Sequence, residues 1–90
     1  MREYEIKPHL QRILKKLYKK NRFSYEAVMK KITEIMESEN PDHYKNLRHN
    51  MKDKKRVHIA KSYVLIFHYD KTKNHISFQD YDHHDKIYKK

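Results

Sequence analysis

The spacing of apolar residues changes once along this chain, and that change limits the folds open to it. Leu10, Ile13, Leu14, Leu17 and Tyr18 recur at i, i+3, i+4, i+7 and i+8, the mark of one buried helix face. Pro8 suits a first helical turn, so the pattern predicts an amphipathic helix from Pro8 to about Lys20. Asn21 and Arg22 interrupt it. A second helix is expected after Ser24 as N-cap, with Tyr25, Val28, Met29, Ile32, Ile35 and Met36 as its apolar set. Asn40-Pro41 ends it. A connection of about four residues predicts an antiparallel helical hairpin.

From Pro41 to Lys55 the pattern is polar and irregular, with Leu47 and Met51 as the expected anchors. Beyond it the period becomes two. Val57 and Ile59 face one way, and Arg56, His58 and Ala60 the other. Ser62 to Tyr69 is nearly all apolar, as a central strand should be. DKTKN supplies a hairpin turn, after which Ile76, Phe78 and Asp80 alternate with His75, Ser77 and Gln79. Glu3 to Ile6 reads as a short first strand, and the tail DYDHHDKIYKK as polar apart from Ile87 and the tyrosines. The predicted order is β-α-α-β-β-β. This is an α+β fold, an N-terminal strand and helical hairpin packed on a small, mainly antiparallel sheet, with residues 1–90 forming one domain.

Composition narrows the chemistry. The chain has no glycine, which excludes a Gly-rich phosphate loop, and no cysteine, which excludes disulfides and thiolate metal sites. The longest apolar run, Tyr63 to Phe67, is too short to cross a bilayer, and MREYEIKPHL has no apolar core of a signal peptide. A cytoplasmic location and no membrane partner are expected. Net charge is +10, from 22 Lys+Arg against 12 Asp+Glu, which favours a polyanionic partner. The run KKLYKKNR, Lys15 to Arg22, fits either a solvated helix face or a binding patch.

The alternation sets Arg56 and His58 on one strand face, about 7 Å apart. Lys45, Arg48, Lys52, Lys54 and Lys55 precede them, and the tail adds His83, His84 and Tyr88. Cations, imidazoles and a phenol without an evident carboxylate pair suit metal-free RNA cleavage. That reaction needs a base for the ribose 2′-OH, an acid for the leaving 5′-oxygen and cations around the pentacoordinate phosphate. His9, His43, His49, His68 and His75 read as boundary residues. His83 and His84 with Asp80, Asp82 and Asp85 raise the alternative of a metal site. Adjacent histidines on an extended tail point apart, however, and neither HxxxH nor HxH spacing is present, so no metal is expected.

Leu47-Arg48, the strand RVHI, the strand SYVLIF with its hairpin and the closing HDKIY stand in an order that resembles the RelE/ParE superfamily of toxins. Within it the chain is most similar to YafQ-type mRNA interferases. The resemblance implies a toxin that cleaves ribosome-bound mRNA, with a cognate antitoxin as protein partner, mRNA and ribosomal RNA as nucleic-acid partners, and no small-molecule cofactor. It implies that His58 and His84 form the acid–base pair, that Arg56 contacts the scissile phosphate and that Tyr88 is the closing functional aromatic. Tyr63 matches the aromatic that opens the central strand. The chain departs from the family pattern at Lys45, Ser62 and Val64, where members carry a histidine, an aspartate and an arginine, and in LRHN, which lacks the usual glycine. A ParE-like gyrase poison, or a catalytically silent RelE-like nucleic-acid-binding protein, is the alternative the same fold allows.

Overall fold

The computed structural model describes residues 2–47 and 53–89. Strand β1 (Glu3–Ile6) leads into α1 (Pro8–Lys20) and α2 (Arg22–Glu37), and a 3-10 turn follows at Pro41–His43. Strands β2 (Lys55–Ile59), β3 (Tyr63–Asp70) and β4 (His75–His83) come next, and a short helix, α3 (His84–Lys89), closes the chain. The strands form one four-stranded sheet in the order β1-β4-β3-β2. β1 runs parallel to β4, and the other neighbours are antiparallel.

The apolar stripes of α1 and α2 bury against one face of this sheet. Leu10 and Leu14 from α1, Val28, Ile32, Ile35 and Met36 from α2, and Ile59, Leu65, Phe67, Ile76, Phe78 and Tyr81 from the strands make one core. The helical hairpin is tighter than its sequence suggests. Asn21 alone separates the helices, and its side chain accepts from the Ser24 N–H at 3.2 Å. Asn21 is therefore the N-cap in place of Ser24, and capping three residues earlier lets Phe23 and Ser24 join the first turn. The α2 C-terminus receives a cation from a distant segment, as Arg2 donates to Met36 O at 2.8 Å and to Glu39 O at 3.1 Å.

Two irregularities decide which side chains face where. In the β3–β4 ladder Ile66 pairs with Asp80, but Phe67 pairs with Phe78, so Gln79 is an extra residue. This bulge corrects the expected alternation: it turns Asp80 away from the face of Phe78 and brings Tyr81 into the core. The β2–β3 turn uses Ala60 at φ 58°, a left-handed residue with a Cβ. In the β3–β4 hairpin that conformation falls to Asn74, which tolerates it better.

The second face of the sheet carries a smaller cluster of Val64, Ile66 and Ile87, with Leu47 against it. Ile87 belongs to α3, so the tail read as polar and extended is in fact a strand extension to His83 followed by a helix. Six residues are far too few for a stable helix in isolation, and the burial of Ile87 is a main contact that holds this one.

Candidate functional site

The site is built on this second face. Across β2–β3 His58 stands opposite Val64 and Arg56 opposite Ile66, and across β3–β4 those residues stand opposite Asp82 and Asp80. Two rows result, His58–Val64–Asp82 and Arg56–Ile66–Asp80, each running from a basic residue through an apolar one to a carboxylate. The directly opposed side chains of such rows are about 5 Å apart at Cβ. His58 is exposed and Arg56 half-buried. A phosphate approaching the β2 edge of this face meets the positive charge of Arg56, whereas on β4 Asp80 is paired with His9 Nε2 at 3.0 Å.

Helix α3 lies on the apolar centre of these rows. His84, Ile87 and Tyr88 share one helical face by their i, i+3, i+4 spacing. With Ile87 buried on Val64 and Ile66, α3 lies over β3 and β4, and β2, which carries Arg56 and His58, is the next strand beyond β3. The start of α3 is fixed by the His84 N–H, which donates to Ser62 O at 2.8 Å. Arg56 and His58 thus share the sheet face on which α3 packs, while the contacts of the His84 ring run to His83 and Asp85.

The basic residues before β2 divide into three groups. Lys45 and Lys54 join the same neighbourhood, because the chain at 45–47 runs along the outer edge of β2. There the Arg56 N–H donates to Lys45 O at 2.9 Å and the Leu47 N–H to Lys54 O at 2.7 Å. Alternation then carries Lys54 onto the face of Arg56 and His58. Lys55 points the other way and is 7% exposed. Its ammonium donates to Asp42 O (3.2 Å), Tyr44 O (3.1 Å) and Asn46 Oδ1 (3.2 Å), and lies 3.3 Å from the Asp42 carboxylate. Charge count alone offers Lys55 to RNA, whereas its buried position commits it to holding the 42–46 segment. Arg48 and Lys52, and the anchor Met51, lie outside the described residues.

Tyr63 is separated from His58 by the sheet. It stacks on Tyr81 at 5.1 Å with an interplanar angle of 16°, and meets His83 edge-on at 5.6 Å. Burial pushes the Tyr81 phenol pKa up, and the Tyr63 phenol adds to it, against a lowering hydrogen bond with Ser24.

Sequence reasoning missed the surroundings of His84. Because β4 ends at His83 and α3 begins at His84, the two rings do not diverge as on an extended tail. They stack at 4.5 Å with an interplanar angle of 27°. His84 Nδ1 lies 3.1 Å from Asp85 Oδ1, and His83 Nδ1 lies 3.7 Å from Asp85 Oδ2. The signal was present in DYDH, which alternates up to His83, but out of phase with Ile76 and Phe78 because of the bulge at Gln79.

Among the described residues, no helix is long and apolar enough to cross a membrane. No family model and no solved structure matches the chain. Two relatives do. One, from Methanocaldococcus jannaschii, is named "Putative toxin RelE4" and is 52% identical over 90 residues, covering 100% of this chain and 94% of the relative. An uncharacterised protein from Methanosarcina mazei is 45% identical over 84 residues, covering 93% of this chain and 95% of the relative. Full-length identity at this level, on a helical hairpin packed over a mixed four-stranded sheet, settles the relationship: the chain belongs to the RelE-type toxin family.

Proposed function

We propose that the protein is the toxin of a type II toxin–antitoxin pair and that it cleaves mRNA on the ribosome by acid–base chemistry. The observation that carries this reading is the packing of α3, which bears His84 and Tyr88, on the sheet face from which Arg56 and His58 project. Of the histidines 58 and 84, one takes the proton from the ribose 2′-OH. The 2′-oxygen attacks the adjacent phosphorus in line, and the bond to the 5′-oxygen breaks. The other histidine supplies the proton that the leaving oxygen takes up, so the products are a 2′,3′-cyclic phosphate and a 5′-hydroxyl. Arg56 and Lys54 balance the charge that builds on the non-bridging oxygens. Tyr88 positions the phosphate or a base, and Tyr63, at the end of the sheet, offers a ring to a neighbouring nucleotide.

Lys45 extends the cationic surface toward ribosomal RNA, and the charges of Arg48 and Lys52 add to the attraction. The net charge of +10 makes that binding steeply dependent on salt. The protein partner is an antitoxin whose toxin-binding segment is acidic and orders as it binds.

Primer extension on mRNA carried by programmed ribosomes tests this reading, with wild type, His58→Ala and His84→Ala side by side. The expected result is codon-phased cutting by wild type that disappears in both variants. An uncut message, under conditions where a known interferase cuts, overturns the proposal and favours the gyrase poison or the silent relative. Toxicity in cells that survives both substitutions favours the gyrase poison of those two.

A further inference from the structure

The junction of β4 and α3 gathers three side chains that the reaction above uses only in part. One ligand atom from each of His83, His84 and Asp85 lies within 4.8 Å of the others. We propose that this cluster is a binding site for a zinc-like divalent cation, and that occupancy switches the nuclease off by withdrawing His84. The regulatory half of this proposal rests on the acid–base role of His84, whereas the binding half does not.

Geometry supports the site first. Two ligands bound tetrahedrally at about 2.1 Å from zinc stand about 3.4 Å apart. The Asp85 carboxylate approaches that spacing through both oxygens, with Oδ1 3.1 Å from His84 Nδ1 and Oδ2 3.7 Å from His83 Nδ1, while the set of one atom from each residue spans up to 4.8 Å. The two imidazole rings, stacked at 4.5 Å, turn about their side-chain bonds to converge on one ion.

The ligands are also held before any ion arrives. His83 is the last residue of β4, paired with Tyr63 and packed edge-on against its ring. The His84 backbone is tied to Ser62 O. The Asp85 N–H donates to His83 Nδ1 at 3.2 Å, so that nitrogen carries a lone pair and is turned toward the first turn of α3, where the carboxylate stands. An incoming cation replaces this long hydrogen bond with a metal–nitrogen bond. The backbone at both histidines is thus already ordered, which favours a specific site over a scattered surface histidine.

Chemistry selects the ion. Two imidazoles and one carboxylate suit zinc and its first-row neighbours far better than magnesium or calcium, which prefer all-oxygen shells. Three protein ligands leave a coordination position for water. His83 and His84 are partly exposed and Asp85 more so, which gives the ion an entry path. Once His84 donates its lone pair to a metal it can neither take up nor deliver the proton that cleavage requires, so the bound state is inactive.

Calorimetric titration of Zn²⁺ into the full chain in a non-chelating buffer tests the binding half. Wild type, His83→Gln, Asp85→Asn and the surface control His75→Gln are compared. Saturable binding of one equivalent is expected in wild type and in the control. Losing one ligand should weaken it by about tenfold or more, since even the hydrogen-bond partners of metal ligands are worth about that much. Absence of saturable binding, or wild-type affinity in His83→Gln and Asp85→Asn, overturns the site. For the regulatory half, message cleavage is followed against Zn²⁺. Wild type should lose activity at the calorimetric midpoint and regain it on chelation, while Asp85→Asn keeps cutting at concentrations that silence wild type. Zinc that binds at the cluster while cleavage persists overturns the switch. A protein that binds zinc as expected but never cuts without it upholds the site and refutes the nuclease reading instead.

Discussion

Replacing Lys55 by methionine should destabilise the protein without touching RNA directly. The ammonium of Lys55 makes three hydrogen bonds to oxygens of Asp42, Tyr44 and Asn46 and an ion pair with the Asp42 carboxylate. A hydrogen bond to a charged group contributes about 1.5–3 kcal/mol when its loss leaves a buried partner. The three are not additive here, because the carbonyls lie on a surface segment and can be rehydrated. The Asp42 side chain is 49% exposed, so the ion pair adds at most about 1 kcal/mol. Relief of the desolvated ammonium works in the opposite direction. Methionine keeps the apolar stem of lysine in place, so no cavity opens. A net loss of about 2 kcal/mol follows, equivalent to a fall in Tm of about 8–16 °C for a protein of this size. Urea denaturation gives the free energy, and hydrogen exchange should show faster opening at residues 42–47 in particular. A variant within about 0.5 kcal/mol of wild type refutes the reasoning, that margin being the usual effect of a surface substitution. So does one that keeps its stability and loses RNA affinity, which would make Lys55 a direct RNA contact.

Three further perturbations probe other parts of the fold. Ala60→Gly removes the Cβ from a left-handed residue and should stabilise by about 0.5–1 kcal/mol, after subtracting the extra freedom of glycine in the unfolded chain; a lowered urea midpoint would contradict this. Ile87→Ala should cost about 2 kcal/mol, near the low end for such a change because the cluster is small, and should reduce message cleavage more than stability explains by loosening α3. If cleavage per folded molecule is unchanged, α3 does not hold the reactive groups. Alkaline pH acts through Tyr81 and Tyr44, whose phenol pKa values burial raises above the ordinary tyrosine value. Their neutral forms stabilise the fold fully below that ordinary value, about 10, and this contribution is lost as pH rises through the raised folded values. Melting temperature should therefore fall across that range, and Tyr81→Phe should shrink the fall.

Local pattern carried the elements whose residues bury along a continuous stripe or alternate over several positions. The bounds of α1 and the strand character of the segment from Arg56 to Tyr69 were legible because helix and strand place every third-to-fourth or every second residue on one side. That parity alone put Arg56 and His58 on a common face, and the resemblance of RVHI and HDKIY to toxin motifs tied them to His84. Packing across the sheet settled the rest. The parallel insertion of β1 beside β4 pairs residues about seventy positions apart, and no window of sequence reports it. Helix α3 was hidden because its buried apolar residue, Ile87, matters only once Val64 and Ile66 stand beneath it. The convergence of His83, His84 and Asp85 depends on the chain changing from strand to helix between two adjacent histidines. Lys55 is the plainest case: its charge says surface, and only three oxygens brought together by the folded 42–46 segment make its burial tolerable.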